Sequence, residues 1–346
     1  MPVEQLRFLD RAAVDDCLRK IDPADVIAAT LRHHAQGRTE LPPEGYLSWT
    51  NSEGAYSRAI AMLGAVPSGG GTAYGMKLIN ASVSNPRHGM ERAGGLSFLF
   101  DPETARPVTV AEAGRLSAVR TAAYTVVSLR ELGPPDWDAV GLIGTGMLAA
   151  THVDLLVDAF PALRRVHVYD LDPDRAAAFR RTVGARHPGL TVEVAPDARA
   201  VAAGAPVLIT VTTSNDPYLP AEWLPAGGFV AHVSLGDLTE EVFLGAEALY
   251  VDDAELIQDN PRRIMGRLMR EGSLVWPHDP GAPTGAGRVI DGSLGQVLLG
   301  QVPARRPSTG YVVSNPFGMA VLDVALMNAV AAVAEQVDAG QRLALF

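Results

Sequence analysis

The chain has 346 residues, 47% of them hydrophobic, and a formal charge of −10 at neutral pH. That length leaves room for two domains with sizeable cores, and the acidic balance argues against nucleic acid or an anionic membrane surface as a partner. A single cysteine, Cys17, excludes an intramolecular disulfide and a thiolate metal site.

The N-terminal stretch carries charges where a signal peptide needs an apolar run, and no segment is long enough to span a bilayer, so a cytoplasmic location is the default expectation. After Leu9-Asp10, residues Ala12, Val14, Cys17 and Leu18 fall on one helical face. Asp22 is placed to cap a second helix, with Pro23 at its first position and Val26, Ile27 and Leu31 along its apolar side. A proline and glycine loop at Leu41 to Gly45 leads into short strand-like runs. These are Tyr46 to Leu63 (clearest at Arg58 to Met62), Thr72 to Asn80, Gly94 to Asp101, and Pro107 to Val110. A helix from Ala111 through Leu132 follows and stops at Gly133-Pro134-Pro135. The first region, 1–132, therefore reads as α+β, with helices on a largely antiparallel sheet.

The second region, 133–315, alternates strands and helices. Ala139 to Ile143, Arg165 to Tyr169, Thr191 to Val194, Val207 to Thr212, Phe229 to Leu235 and Leu249 to Asp252 read as strands. Alanine-rich helices such as Asp174 to Val183 and Asp197 to Ala203 lie between them, and further helices are expected near Asp253 to Glu271 and at Leu294 to Leu299. A six-strand doubly wound α/β sheet is the natural assembly. Past Ser314-Asn315-Pro316-Phe317-Gly318 comes a long apolar helix, Met319 to Val337, which needs a partner surface that the first region can supply.

The most informative stretch is Trp137 to Asp172. Strand, Gly144-Thr145-Gly146, a helix from Met147, a second strand and Asp170 follow in the order of a dinucleotide-binding unit. Gly144 permits the tight turn, Gly146 lacks a Cβ that would block a pyrophosphate, and Ala149 lets helix and strand pack closely. The helix N-terminus offers unpaired N–H groups to the anion. Asp170, about twenty-five residues past Gly144, is placed to accept from an adenosine ribose, and its charge favours NAD over NADP. A glycine turn in an ordinary α/β domain is the plainer account, which the surrounding order of elements outweighs.

Of 29 basic residues only Lys20 and Lys77 are lysine. Lys77 sits in an apolar strand, where its charge costs desolvation unless partnered. It is either an edge lysine that snorkels to water or an ammonium that polarises a substrate carboxylate or carbonyl, or moves a proton. Its scarcity favours the second. Arg120, in the small and apolar run Ser117 to Ala123, suits bidentate capture of a carboxylate, and a structural ion pair with an aspartate explains it equally. Arg58 is a weaker candidate of the same kind. Asp237 falls just past the carboxyl end of a strand, where such sheets place ligands, and can take a proton or simply cap a helix. Thr212, Thr213 and Ser214 end another strand at that edge, in reach of ribose or nicotinamide. His232, inside a strand, reads as a satisfied core histidine. No metal spacing and no Gly-x-Ser-x-Gly elbow is present.

These motifs together resemble the ornithine cyclodeaminase/mu-crystallin family over essentially the full length. The resemblance is carried by Gly75-Met76-Lys77, Arg120-Thr121-Ala122-Ala123, Gly144-Thr145-Gly146, Ser234-Leu235-Gly236-Asp237 and Asn315-Pro316-Phe317-Gly318-Met319-Ala320. Asn85-Pro86, Met90-Glu91-Arg92-Ala93, Asp101-Pro102-Glu103-Thr104, Glu241-Val242-Phe243 and Val251-Asp252-Asp253 are most similar to the family's dehydrogenases of 2,3-diaminopropionate biosynthesis. The resemblance implies NAD-dependent oxidation of N-(2-amino-2-carboxyethyl)-L-glutamate, with hydride leaving the glutamate Cα and the imine hydrolysed to 2-oxoglutarate and L-2,3-diaminopropionate, products that feed siderophore or antibiotic assembly. It implies Lys77 and Asp237 as catalytic residues, and Arg120 on the substrate carboxylate. The cofactor would lie on Thr121, Gly144, Thr145, Gly146, Met147, Asp170, Thr212, Thr213, Ser234 and Asn315. A homodimer built by the first region, completed by the helix in 316–346, is also implied. One departure is Ser48, where the related dehydrogenases commonly carry arginine in a Tyr-Leu-Arg stretch; if that arginine grips a distal carboxylate, either the substrate differs at that end or Arg58 or Arg92 substitutes. Ornithine cyclodeamination with internal NAD recycling, and crystallin-like NAD binding without turnover, are the alternatives.

Overall fold

In the computed structural model, which describes residues 5–261, 263–277 and 287–345, the chain forms two compact units, one of residues up to Ala123 and from Gly318 on, the other Tyr124–Phe317. Residues 1–4, 278–286 and 346 of the expected regions, and Arg262 within Asp253 to Glu271, lie outside the described residues.

The chain opens with strand β1 (Gln5–Leu9) and helices α1 (Arg11–Leu18) and α2 (Pro23–Ala35). Asp10 and Asp22 cap the helices by accepting from the Ala13 and Ala24 amides, and Pro23 stands where a missing N–H costs nothing. Strands β2 (Gly45–Thr50), β3 (Tyr56–Ser68), β4 (Gly71–Ser82), β5 (Ala93–Phe100) and β6 (Pro107–Glu112) follow, then helix α3 (Ala113–Leu132).

The second unit begins with the series β7 (Ala139–Ile143), α4 (Met147–Ala159), β8 (Arg165–Tyr169), α5 (Pro173–Arg186), β9 (Thr191–Val194), α6 (Ala198–Gly204) and β10 (Val207–Thr210). It continues through β11 (Gly228–His232), α7 (Glu240–Leu244), β12 (Ala248–Val251), α8 (Ala254–Asp259), α9 (Ile264–Arg270), the two-residue strands β13 (Leu274–Val275), β14 (Arg288–Val289) and β15 (Gly292–Ser293), α10 (Leu294–Leu298) and β16 (Tyr311–Asn315). The chain then returns to the first unit as α11 (Ala320–Gln336) and β17 (Gln341–Ala344).

The first unit holds a seven-stranded sheet in the order β17-β1-β6-β5-β4-β3-β2, antiparallel except between β1 and β6. The two strands absent from the sequence expectation, β1 and β17, pair with each other from opposite ends of the chain. Helix α11 lies on one face of the sheet, and Gly64 and Gly75 let it approach closely. A Cβ at Gly75 would sit 2.6 Å from the Phe98 carbonyl oxygen and 3.2 Å from the Val324 methyls. Val321, Leu322, Leu326 and Val330 are wholly buried, each worth roughly 1.5–3 kcal/mol by removal from water, which explains how so apolar a helix is accommodated.

The second unit corrects the expected six strands to eight, all parallel, in the order β15-β12-β16-β11-β10-β7-β8-β9. The extra strands are β15 and β16. Tyr311–Asn315, of which the sequence reading assigned only Ser314 and Asn315, to a turn, is instead a fully buried strand wedged between β11 and β12. Three apolar residues followed by Ser314, Asn315 and a proline show no period of their own, and only the vacancy between two other strands makes the segment β. Among the described residues no helix is long and apolar enough to cross a membrane.

Candidate functional site

The carboxyl edge of the parallel sheet gathers most of the expected cofactor residues. Gly144 has φ +96°, and a Cβ there would lie 2.8 Å from the Val211 carbonyl oxygen, so the turn after β7 admits only glycine. Gly146 is the N-cap of α4, no side chain caps its amides, and a Cβ at 146 would meet only the Arg175 guanidinium at 3.7 Å. Orphan N–H groups of a 13-residue helix, open space and a cation therefore meet in one place, beginning at Met147. This is a setting that fits a pyrophosphate. Arg175, in the first turn of α5, was not singled out from sequence, because nothing in the spacing shows that its side chain doubles back over the glycine turn. Asp170, directly after β8, accepts from the Thr145 amide at 2.9 Å and hydroxyl at 2.7 Å through Oδ2, and from the Asp172 amide at 3.1 Å through Oδ1. The carboxylate thus braces the glycine turn against the second strand, and a ribose would share lone pairs already partly used.

Two strands along from β7, just past β11, Asp237 has no exposed surface. It accepts from the hydroxyls of Thr212, Ser234 and Tyr218, the last at 2.9 Å, and its Oδ2 lies 3.8 Å from His232 Nε2. Tyr218 comes from the loop after β10, which is pinned by the Tyr218 and Leu219 amides on the Asp237 carbonyl; burial and the Asp237 charge push its phenol far above the ordinary range. Sequence reasoning missed it, since no periodicity marks where a loop folds back. His232 Nδ1 meets Asn315 Oδ1 at 2.6 Å, while burial holds its pKa at about 4, against the pull of Asp237. It is neutral and only half satisfied, because neither its Nε2 nor Asn315 Nδ2 has a hydrogen-bond partner. The core-histidine expectation therefore holds for burial and fails for satisfaction. Thr212, Ser234 and Asn315 all serve this internal network, and Thr213 follows Thr212 at the same edge.

Within the first unit Lys77 is no edge lysine. It stands on the interior strand β4, 2% exposed, with Nζ 2.7 Å from Asp323 Oδ2 and 3.4 Å from Ser117 Oγ. Arg120 on α3 places Nε 3.0 Å from the other oxygen of the same carboxylate. One buried acid thus joins two buried cations, and both sequence accounts of Arg120 remain compatible: it has its aspartate, and the cluster still carries excess positive charge. Burial lowers Lys77 to about 8, Asp323 and Glu44 opposing and Arg120 adding to the shift. Asp323 was missed, although the signal was present: it is the one charged residue between Met319 and Ala334. Gly318, with φ +100°, lies against the Arg120 guanidinium; a Cβ there would come within 2.7 Å of Nη1. Thr121 turns its hydroxyl back to the Ser117 carbonyl at 2.7 Å. Arg58 sits on β3 opposite Ser48 and Ala81, and Arg92 just before β5. Burial and the neighbouring Arg58 charge lower the pKa of Arg92.

A doubly wound parallel sheet with this glycine turn and this acid defines a protein of the Rossmann class, joined here to an α+β unit. The chain belongs to the ornithine cyclodeaminase/mu-crystallin family, whose model matches residues 5–339. It is 27% identical over 323 residues, 93% of each chain, to N-((2S)-2-amino-2-carboxyethyl)-L-glutamate dehydrogenase of Staphylococcus aureus (strain NCTC 8325 / PS 47). Among solved structures it is similar to CmnK, at 52% identity and TM-score 0.92 over 99% of both chains. It also shares its fold with an archaeal alanine dehydrogenase dimer with bound NAD, at 23% identity and TM-score 0.81 over 99% of this chain and 100% of that one.

Proposed function

We propose that this chain is an NAD-dependent amino-acid dehydrogenase that oxidises N-(2-amino-2-carboxyethyl)-L-glutamate, or a closely related N-substituted amino acid. The observation that carries the reading is the buried Lys77–Asp323–Arg120 cluster: two cations share one carboxylate, leaving positive charge for a second, incoming anion. Bound NAD supplies a hydride acceptor, and the glycine turn, the α4 amides, Arg175 and Asp170 are the residues that would hold it.

In this reading Lys77 and Arg120 hold the carboxylate beside the carbon that loses hydride. The secondary amine gives up its proton to Asp237, whose hydroxyl shell of Thr212, Ser234 and Tyr218 keeps the carboxylate oriented. Hydride and proton leave together as the C–N bond becomes an imine. Water then adds to the imine carbon and the C–N bond breaks, giving 2-oxoglutarate and L-2,3-diaminopropionate. A homodimer in the cytoplasm, serving siderophore or antibiotic assembly, completes the proposal. The test is absorbance of NADH with this conjugate as substrate, together with mass analysis of products. Stoichiometric NADH and 2-oxoglutarate are expected. Flat absorbance with ammonia released from ornithine would point to cyclodeamination, and tight NAD binding without turnover of any N-substituted glutamate to a binding protein.

A further inference from the structure

Strand β11 ends in His232, and the chain then turns so that Asp237 comes against the histidine ring, with Oδ2 3.8 Å from Nε2. The two side chains are sealed, at 2% and 0% exposure, so bulk solvent reaches neither. What the pair can do therefore depends on which of its atoms already have partners.

Strand β16 sets the state of the ring. Nδ1 lies 2.6 Å from Asn315 Oδ1, which can only accept, so Nδ1 carries the hydrogen. Burial keeps the ring neutral, with its pKa at about 4. Its single hydrogen is thus already used, and Nε2 is a bare lone pair to which nothing donates among the described residues. Facing it is a carboxylate, also an acceptor. On Asp237, Oδ1 accepts from Thr212 and Tyr218 and Oδ2 from Ser234, which leaves one lone pair of Oδ2 unused. Two acceptors with no hydrogen between them stand together in a dry interior, an arrangement that one added proton turns into an O–H···N hydrogen bond. Ser234 is a rival acceptor, since its hydroxyl can turn to Thr210 Oγ1 at 3.1 Å. It has a partner in either state, however, whereas Nε2 gains one only when the carboxyl is protonated. The other ionisable groups acting on the pair are Tyr218, whose phenol keeps its proton at neutral pH, and Arg263, which is always charged. Phe243 packs against the ring with centroids 5.6 Å apart and contributes no charge.

From this we infer that His232 is a positioning residue: when Asp237 takes the proton of the substrate amine, the new Oδ2–H donates to His232 Nε2, which makes the carboxylate a stronger base than its three hydroxyl donors alone would leave it. The proton leaves the amine nitrogen and stays on Oδ2, the hydride goes to NAD, and His232 keeps the one hydrogen it had. The proposed function supplies only the source of the proton.

Nitrogen NMR on the full chain with labelled histidine and bound NAD tests the geometry without any turnover. The His232 signals, assigned by their loss in His232→Gln, should show Nδ1 protonated and Nε2 bare at neutral pH. In Asp237→Asn the amide stands in for the protonated carboxyl, and the Nε2 resonance should move to a hydrogen-bonded position. A hydrogen on Nε2 in the wild type, or the same Nε2 resonance in both proteins, overturns the inference. The second readout is the pH profile of kcat/KM for NADH formation from N-(2-amino-2-carboxyethyl)-L-glutamate. His232→Gln lets an amide donate to the ionised carboxylate, and should move the acid limb down by about one pH unit, the tenfold effect of one hydrogen bond. His232→Phe, which keeps the ring's shape and accepts nothing, should move it the same way where the glutamine variant fails to fold. A merely structural histidine would lower the rate and leave the limb in place, and an unmoved or raised limb sinks the role given to Nε2. Wild-type protein that forms no NADH from the conjugate would instead reject the proposed reaction, with the nitrogen spectra still deciding on His232.

Discussion

Replacing Asp323 by asparagine keeps the side chain's shape and removes its charge. In the native fold that charge lies 2.7 Å from Lys77 Nζ and 3.0 Å from Arg120 Nε, with all three side chains under a tenth exposed. Removing one partner of a buried ion pair costs about 3–5 kcal/mol, because the other is left charged and uncompensated. Lys77 has an escape that Arg120 lacks, since an ammonium can lose its proton and a guanidinium cannot. With Lys77 at about 8, giving up that proton at pH 7 costs about 1 kcal/mol, which caps its part of the loss. Arg120 must bear the remaining ~2–4 kcal/mol. At pH 9 Lys77 is already largely neutral in the unaltered protein, so its part vanishes and the destabilisation shrinks by about 1 kcal/mol. The sign follows from a folded pKa below the unfolded one, so that raising the pH relieves Lys77 in the fold first. Urea titrations of wild type and Asp323→Asn at the two pH values measure this. A loss under about 1 kcal/mol at pH 7, or the same loss at both, would refute the reasoning.

Other expectations follow from the same geometry. Asp170→Ala removes the acceptor of the Thr145 amide and hydroxyl and should weaken NAD binding by roughly 1–3 kcal/mol; unchanged affinity in a fluorescence titration would remove Asp170 from the cofactor site. Lys77→Ala and Asp237→Asn should each lower kcat about 100-fold or more with little change in NAD affinity, and near-normal turnover in either variant would end that residue's assigned role. His152 is held at about 4 by burial, opposed by its hydrogen bond to the Leu148 carbonyl. The unfolded chain binds that proton nearer pH 6.5, so stability should fall as pH drops from about 6.5 to 4. A His152→Gln variant should show a shallower fall in urea midpoint over that range, and an identical slope would contradict the assignment.

Much of this molecule is written locally. Asp10 and Asp22 cap their helices through amides two or three residues away, and Gly144 and Gly146 form their turn between a short apolar run and a helix with its own period. These features depend on backbone dihedrals and on which face meets water, so neighbouring residues carry them, and the Rossmann unit was legible for that reason. Lys77, Arg120 and Asp237 stood out as candidates from residue type and position alone.

Their partners were another matter. Asp323 is 246 residues from Lys77 and 203 from Arg120, and Tyr218 reaches Asp237 only because one loop folds onto another. Strand β16 exists because two other strands leave a gap, and β1 because the far end of the chain returns to pair with it. Charge pairing and strand insertion reward contacts between distant residues, and no local spacing records them. The sequence by itself determined which elements form and which residues are chemically able; the tertiary structure decided which carboxylate neutralises which cation, and so where positive charge is left over for a ligand.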